Sequence, residues 1–284
     1  MEIINRRQRM SLTARKLRRE KKTIGLVPTM GALHAGHLSL VKEARAACDV
    51  VIVSIFVNPA QFNDKKDLEK YPRDLTSDAA LLANYQVDYI FAPDDQEIYP
   101  KGFSTYVYVE GLTESLEGAS RPGHFRGVAT VVTILLNTVR PDFTFFGQKD
   151  AQQTIIVKRL AQDLGFETEI VALPIVREEN GLAMSSRNAL LNAEEREKAS
   201  IIYKALREAK IAAKNGERNT ANLAEIVRRT IETEPLAQVE YVAPVDAETL
   251  ETTDKIEDRP VLLAVAARFG NVRLIDNTIL NRKQ

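Results

Sequence analysis

Two of the chain's three histidines, His34 and His37, fall in one short segment, Met30-Gly31-Ala32-Leu33-His34-Ala35-Gly36-His37. Imidazole donates hydrogen bonds and moves protons near neutral pH. Beside glycines, which let a backbone approach a ligand closely, an imidazole pair suits phosphate oxygens on which charge is building. The three-residue spacing would also suit a metal, although no acidic or cysteine partner lies nearby in sequence. Two incidental surface histidines are the plainer alternative. The pattern is not the GxxxxGK[ST] phosphate loop.

A second polar cluster is Phe145-Phe146-Gly147-Gln148-Lys149-Asp150, followed by Gln152 and Gln153. Lys149 can reach a phosphate as a point charge. Asp150 can accept from ribose hydroxyls or simply cap the following helix. Gln153, one turn further, carries an amide that both donates and accepts. Met184-Ser185-Ser186-Arg187-Asn188 offers hydroxyls and a guanidinium, suited to closing over a triphosphate or to capping the next helix. Asn58-Pro59-Ala60-Gln61-Phe62 places Gln61 after an apolar run, and Arg121-Pro122-Gly123-His124-Phe125-Arg126-Gly127 is a basic loop before another. The basic loop suits an anionic substrate or a solvent-exposed turn. Together these groups suit phosphate and carboxylate best.

Such groups need a frame that gathers them. Short strand-like runs at 23–27, 49–57, 87–92, 143–146 and 167–173 alternate with helical periodicity at 37–47, 76–84, 128–139 and 151–164. Alternation of this kind implies an α/β fold, a Rossmann-like doubly wound parallel sheet covered by helices. Ligands of such sheets bind outside the carboxyl ends of the strands, where the histidine segment, Gln61 and Lys149 all fall. The basic stretch 6–22 reads as a surface helix with Met10, Leu12 and Leu17 available for packing. The character changes after Pro174. A long amphipathic helix at 194–214 carries the stripe Ile202, Ala205, Leu206, Ala209 and Ala213, and a second runs through Leu223, Ile226, Val227 and Ile231. Strand-like runs follow at 239–242, 261–267 and 272–276. Helices followed by strands predict a smaller α+β domain, with the boundary between residues 1–175 and 176–284.

Composition excludes several classes. Among 284 residues, 39 Lys and Arg balance 39 Asp and Glu, which disfavours a nucleic-acid coat protein or a polybasic membrane binder. The single cysteine, Cys48, excludes an intramolecular disulfide, fits a reducing cytoplasm, and falls on the apolar face of a helix as a core thiol. The longest predominantly apolar run, 50–57, is far short of the ~20 residues of a membrane-spanning helix. The basic N-terminal stretch lacks the apolar core of a secretory signal.

With these segments assembled, the chain resembles the pantoate–β-alanine ligase family over nearly its whole length. His34-Ala35-Gly36-His37 is similar to the HxGH signature of the wider nucleotidyltransferase superfamily, and Met184-Ser185-Ser186-Arg187 to the mobile KMSKS loop of class I aminoacyl-tRNA synthetases. The specific part is the set in order: 28–33, 58–62, 121–125, 146–150 with Gln152 and Gln153, and 181–188. The resemblance implies an enzyme that joins (R)-pantoate to β-alanine at the expense of ATP, through an enzyme-bound pantoyl adenylate, releasing pyrophosphate and AMP.

It also implies roles. Met30, Gly31, Ala32, Leu33, His34, Ala35, Gly36 and His37 line the ATP site, with His34 and His37 on the phosphates and His37 as proton donor or charge stabiliser. Gly147, Gln148, Lys149 and Asp150 hold the nucleotide, Lys149 on phosphate and Asp150 on ribose. Val176 contacts adenine, and Met184, Ser185, Ser186 and Arg187 grip the phosphates as the second domain closes over the first. Gln61 and Gln153 fix pantoate, while Arg121 and His124 shape the pocket. Mg²⁺ arrives with ATP, and Asp78 is an outer-sphere candidate. A homodimer in the cytoplasm, with small-molecule partners and neither nucleic acid nor membrane, completes the expectation. Rival readings are another nucleotidyltransferase, which would not need Gln61 and Gln153, a tRNA synthetase, for which the chain is short and neutral, and a non-catalytic nucleotide-binding protein.

Overall fold

The structure, a computed structural model, describes residues 1–282. The chain divides into two compact units, one formed by Met1–Gly147 with Gln152–Leu173, the other by Gln148–Ala151 with the chain from Pro174 onward.

The first unit carries β1 (Glu2–Ile4), α1 (Arg7–Arg19), β2 (Ile24–Thr29), α2 (Ala35–Ala47), β3 (Val50–Ile55), α3 (Lys65–Lys70), α4 (Leu75–Ala83), β4 (Tyr89–Phe91), α5 (Asp95–Ile98), α6 (Glu117–Ser120), α7 (His124–Val139), β5 (Phe143–Gly147), α8 (Ala151–Asp163) and β6 (Glu169–Leu173). Its six strands lie in the order β1-β4-β3-β2-β5-β6, and every pairing is parallel. This is the expected Rossmann-like sheet. Val50, Val51, Ile52 and Val53 of β3 are all buried, as a β-branched run covered by helices on both faces requires. The chain builds outward from β2 through β3 and β4 on one side and through β5 and β6 on the other. The crevice for a ligand therefore lies outside the carboxyl ends of β2 and β5, at Thr29 and Gly147.

Three local features differ from the sequence expectation or sharpen it. Glu2–Ile4 forms an edge strand on β4, too short to carry a readable periodicity. In α1, Met10, Ala14 and Leu17 are buried at i, i+4 and i+7, whereas Leu12 lies off that stripe and is 56% exposed. Cys48 ends α2 as a buried thiol, and a Cβ at Gly25 would stand 2.8 Å from its sulfur. Burial pushes this thiol up to about 11, in keeping with a packing role.

The second unit carries α9 (Ala193–Lys198), α10 (Ile201–Lys214), α11 (Thr220–Glu232), β7 (Ala237–Asp246), β8 (Val261–Phe269) and β9 (Val272–Leu280). The strands form an antiparallel meander, β7-β8-β9. Ile202, Ala205, Leu206, Ala209 and Ala213 of α10 share one core with Leu223, Val227 and Ile231 of α11 and with Leu263, Val265, Ala267 and Phe269 of β8. The single helix expected at 194–214 is two helices. Ser200 Oγ donates to the Glu197 carbonyl, and the Ile202 amide reaches only to Ala199, a tighter step that breaks the α-helical ladder. No described helix is long and apolar enough to cross a membrane.

Candidate active site

The loop after β2 is shaped by its backbone. Gly31 and Ala32 are consecutive left-handed residues, with φ of 82° and 50°. The turn swings the amides of Ala32 and Leu33 toward Asp78, whose carboxylate oxygens accept from them at 3.1 and 2.9 Å. Asp78 lies on α4 and is 3% exposed. A Cβ at Gly31 would stand 2.8 Å from its Oδ2, so glycine serves both the angle and the close approach. The resemblance gave Asp78 an outer-sphere place near a metal; in the structure both its oxygens also hold the loop. Asp78→Asn is expected to cost about 1–3 kcal/mol of stability, because the amide turns an N–H toward a backbone N–H. Thermal or urea unfolding measures it, and an unchanged midpoint would mean that the loop is held elsewhere.

The same loop delivers the histidines. His34 caps α2, its Nδ1 accepting from the Gly36 amide at 3.1 Å. The His34 amide in turn donates to His37 Nδ1 at 3.4 Å, completing a capping box with imidazole in both places. The two rings stand 4.1 Å apart, centroid to centroid. Because each Nδ1 accepts a backbone N–H, each neutral ring carries its proton on Nε2. Two ring donors thus sit at the N-terminus of a 13-residue helix, whose dipole also favours an anion.

Gln61 closes the turn Pro59–Gln61 after β3 and is held from three directions. Its Oε1 accepts from Asn58 Nδ2 at 3.0 Å, leaving its Nε2 to face Met30 Sδ at 3.0 Å. Asn58 is 1% exposed; its Oδ1 accepts from Tyr99 Oη at 2.7 Å and from the Ala60 amide at 3.3 Å, and its Nδ2 also donates to the Gly127 carbonyl. The Gln61 carbonyl accepts from His124 Nδ1 at 2.8 Å and from Arg121 Nη2 at 3.2 Å. His124 and Arg121 therefore brace the turn. A thioether is a weak acceptor, so Gln61 Nε2 has much to gain from a substrate oxygen. Gln153 is half-buried in the first turn of α8, and among the described residues no hydrogen bond joins it to Gln61 or Met30. Its neighbour Gln152 is structural, its amide fastened to Leu112, Ser115 and Glu117.

Nothing local in the sequence marks Gly127 or Tyr99 as supports of the Gln61 turn, since pairings 41 and 69 residues apart leave no repeating pattern. A Cβ on Gly127 would come within 2.3 Å of the Ala60 carbonyl oxygen and 2.7 Å of the Gln61 amide nitrogen. Gly127→Ala must push the Gln61 turn off α7. If Gln61 holds the acid substrate, as the resemblance implies, about a tenfold rise in KM for that acid is the expected result, with KM for the nucleotide changed little. Steady-state kinetics with each substrate varied checks it; an unchanged acid KM would detach Gln61 from that substrate.

In the second unit, Gln148–Asp150 is a single 3-10 turn. The Lys149 ammonium, 18% exposed, is 3.6 Å from Asp150 Oδ1. Asn277 on β9 holds the turn: its Nδ2 donates to the Gln148 and Lys149 carbonyls at 2.9 and 3.1 Å, and its Oδ1 accepts from Gln148 Nε2 at 3.2 Å. The preceding residue, Asp276, is buried and takes a bidentate pair from Arg177 at 2.6 and 3.0 Å. Arg177 also donates to the Gly181 carbonyl and stacks on Tyr203 at 3.8 Å. It anchors a tight hairpin in which the Met184 amide donates to the Val176 carbonyl at 3.0 Å, so Val176 and Met184 are brought side by side. Ser185 Oγ accepts from the Arg187 amide and caps the turn Ser186–Leu190. Asn188 fastens that turn to Glu178 at 2.7 Å, and the hydrogen bond from Arg196 leads in holding Glu178 below the usual carboxylate range. No group of three or more His, Cys, Asp or Glu suited to a metal occurs among the described residues.

An open parallel sheet with ring donors on the helix after β2, at the point where strand order reverses, defines a Rossmann-like nucleotide-binding enzyme. The family described as pantoate-beta-alanine ligase matches residues 2–279. Pantothenate synthetase of Heliobacterium modesticaldum is 50% identical over 280 residues, covering 99% of each chain, and that of Carboxydothermus hydrogenoformans is 54% identical over 264 residues, covering 93% of each. The crystal structure of pantothenate synthetase from Thermus thermophilus superposes with a TM-score of 0.91 at 43% identity, over 98% of this chain and 99% of that one. The pantoate-beta-alanine ligase of Francisella tularensis, solved in complex with beta-gamma ATP and beta-alanine, gives a TM-score of 0.80 at 36% identity, over 100% of this chain and 98% of that one. The chain belongs to the pantoate–β-alanine ligase family, and it is a ligase.

Proposed function

We propose that this ligase condenses (R)-pantoate with β-alanine through an enzyme-bound pantoyl adenylate, with ATP as co-substrate. The observation that carries the reading is the pair of imidazoles, His34 and His37, each with its Nδ1 on a backbone amide at the N-terminus of α2. In the first step a pantoate carboxylate oxygen attacks the α-phosphorus, the bond to the bridging oxygen breaks, and pyrophosphate leaves. In the second the β-alanine amine attacks the acyl carbon, loses a proton, and expels AMP. Activation is needed because an unactivated carboxylate offers no adequate leaving group.

His34 and His37 donate to phosphate oxygens as charge builds, and His37 is the proton donor where one is needed. Lys149 and Arg187, with Ser185 and Ser186, take the phosphates. Asp150 takes the ribose, and Val176 with Met184 contacts the adenine. Gln61 offers Nε2 to a pantoate oxygen, an orientation that Asn58 supports, and Gln153 offers its amide to the same substrate. Mg²⁺ enters as part of the ATP substrate. A hydrated ion held mainly by phosphate oxygens needs no protein cage. A homodimer in the cytoplasm completes the reading. Positioning two reactants can contribute about 7–11 kcal/mol and proton transfer about 10²–10⁴-fold, so orientation and charge stabilisation carry most of the rate.

The test runs in two stages. The protein is first given Mg-ATP and (R)-pantoate and pyrophosphate is measured; β-alanine is then added, and AMP and the amide are measured. About one enzyme-equivalent of pyrophosphate, then multiple turnovers, is the expected result. Pyrophosphate release that ignores pantoate, or never yields an amide, would overturn the reading.

A further inference from the structure

One dipeptide on β9 reaches both segments of the second unit that the proposed function assigns to the nucleotide. Asn277 is 4% exposed, and its side-chain amide spends its donors on the Gln148 and Lys149 carbonyls and its oxygen on Gln148 Nε2. Its backbone amide donates to Asp276 Oδ1 at 2.8 Å. The same carboxylate takes the Arg177 fork, and Arg177 holds the Gly181 carbonyl at the tip of the hairpin that ends in Val176 and Met184. A continuous chain of hydrogen bonds thus runs from the backbone under Lys149, through Asn277 and Asp276, to the hairpin that leads into Ser185 and Arg187.

We propose that Asn277 is a positioning residue for the nucleotide: by holding the Gln148 and Lys149 carbonyls it sets the direction in which the Lys149 ammonium leaves the backbone. The 3-10 turn has only three residues, so its own backbone bonds do little to fix it. The two carbonyls are acceptors, and only a donor-bearing side chain at 277 meets both. An amide does so without adding charge next to Lys149. Asp276 is the second part of the device, because its two oxygens couple that turn to the Arg177 hairpin. This inference rests on the reading of Lys149 as a phosphate ligand.

The test is a double-mutant cycle on kcat/KM for ATP, with KM for pantoate and the melting temperature recorded for every variant. Asn277→Ala removes both donors. Asn277→Asp keeps the shape but turns an acceptor toward two acceptors, and it serves alone should the alanine variant fail to fold. About a tenfold rise in KM for ATP is expected in either variant, with KM for pantoate within about twofold. In the Lys149→Ala background the same change at 277 is expected to add less than about threefold, because its effect passes through Lys149. If Lys149→Ala is impaired but the Asn277 variants bind ATP normally, or if the two effects multiply, the positioning inference falls while the reading of Lys149 stands. If Lys149→Ala itself turns over normally, that reading falls and takes the inference with it.

Discussion

His37→Ala is expected to lower turnover at least about 10²-fold in a protein that still folds, the loss typical of one preorganised donor at a developing charge. A factor of 10² corresponds to about 2.7 kcal/mol in the transition state. Stability changes by less. The ring gives up its 3.4 Å bond from the His34 amide, and losing a capping contact costs about 0.5–2 kcal/mol. The two roles separate experimentally. Gln at this third helical position can still cap the His34 amide, so His37→Gln should regain most of the melting temperature while turnover stays well below that of the native enzyme. Single-turnover pyrophosphate release is the measurement. Near-native rates in folded His37→Ala would remove this residue from the mechanism.

Lys149→Ala is the second large effect, again at least about 10²-fold in kcat/KM for ATP. Its structural cost is small. The ammonium lies 3.6 Å from Asp150, whose carboxylate is 52% exposed, and pairs of that kind contribute about 0–1 kcal/mol. The backbone of the turn is held through its carbonyls, which any residue supplies. Lys149→Arg is expected to recover part of the rate only, because a planar fork does not occupy the place of a compact ammonium. Initial rates over a range of ATP concentrations decide it. A Lys149→Ala enzyme with native kcat/KM for ATP would mean that the ammonium touches no phosphate.

The parts legible in the sequence are those whose physics is local. The β-branched run of β3, the stripe of α10 and the strand–helix alternation all follow from side-chain periodicity, and they suffice for a parallel sheet and a smaller α+β unit. The histidine segment was legible for a similar reason: glycines and imidazoles lie within eight consecutive residues. What was not legible depends on pairings across the fold. Asp78 is 45 residues from the Leu33 amide it accepts, Tyr99 is 41 from Asn58, and Asn277 is 128 from Lys149. None of these distances leaves a repeating trace, so the residues that aim the site were harder to see than those that populate it. The helix at 194–214 failed for the opposite reason: its apolar period is continuous, and one serine hydroxyl breaks the backbone beneath it.

The second unit takes in Gln148–Ala151 from the middle of the chain, and this has a consequence for cleavage. Dividing the chain between Leu173 and Pro174 gives two peptides, yet neither holds the second unit entire. The longer one keeps the Gln148–Asp150 turn, while Asn277, which grips it, stays on the shorter one. A separately expressed C-terminal fragment would lack the carbonyls that Asn277 binds, and the partner peptide would supply them in trans. Mixing the two fragments should therefore restore more than either contributes, as in a split enzyme rebuilt from its halves.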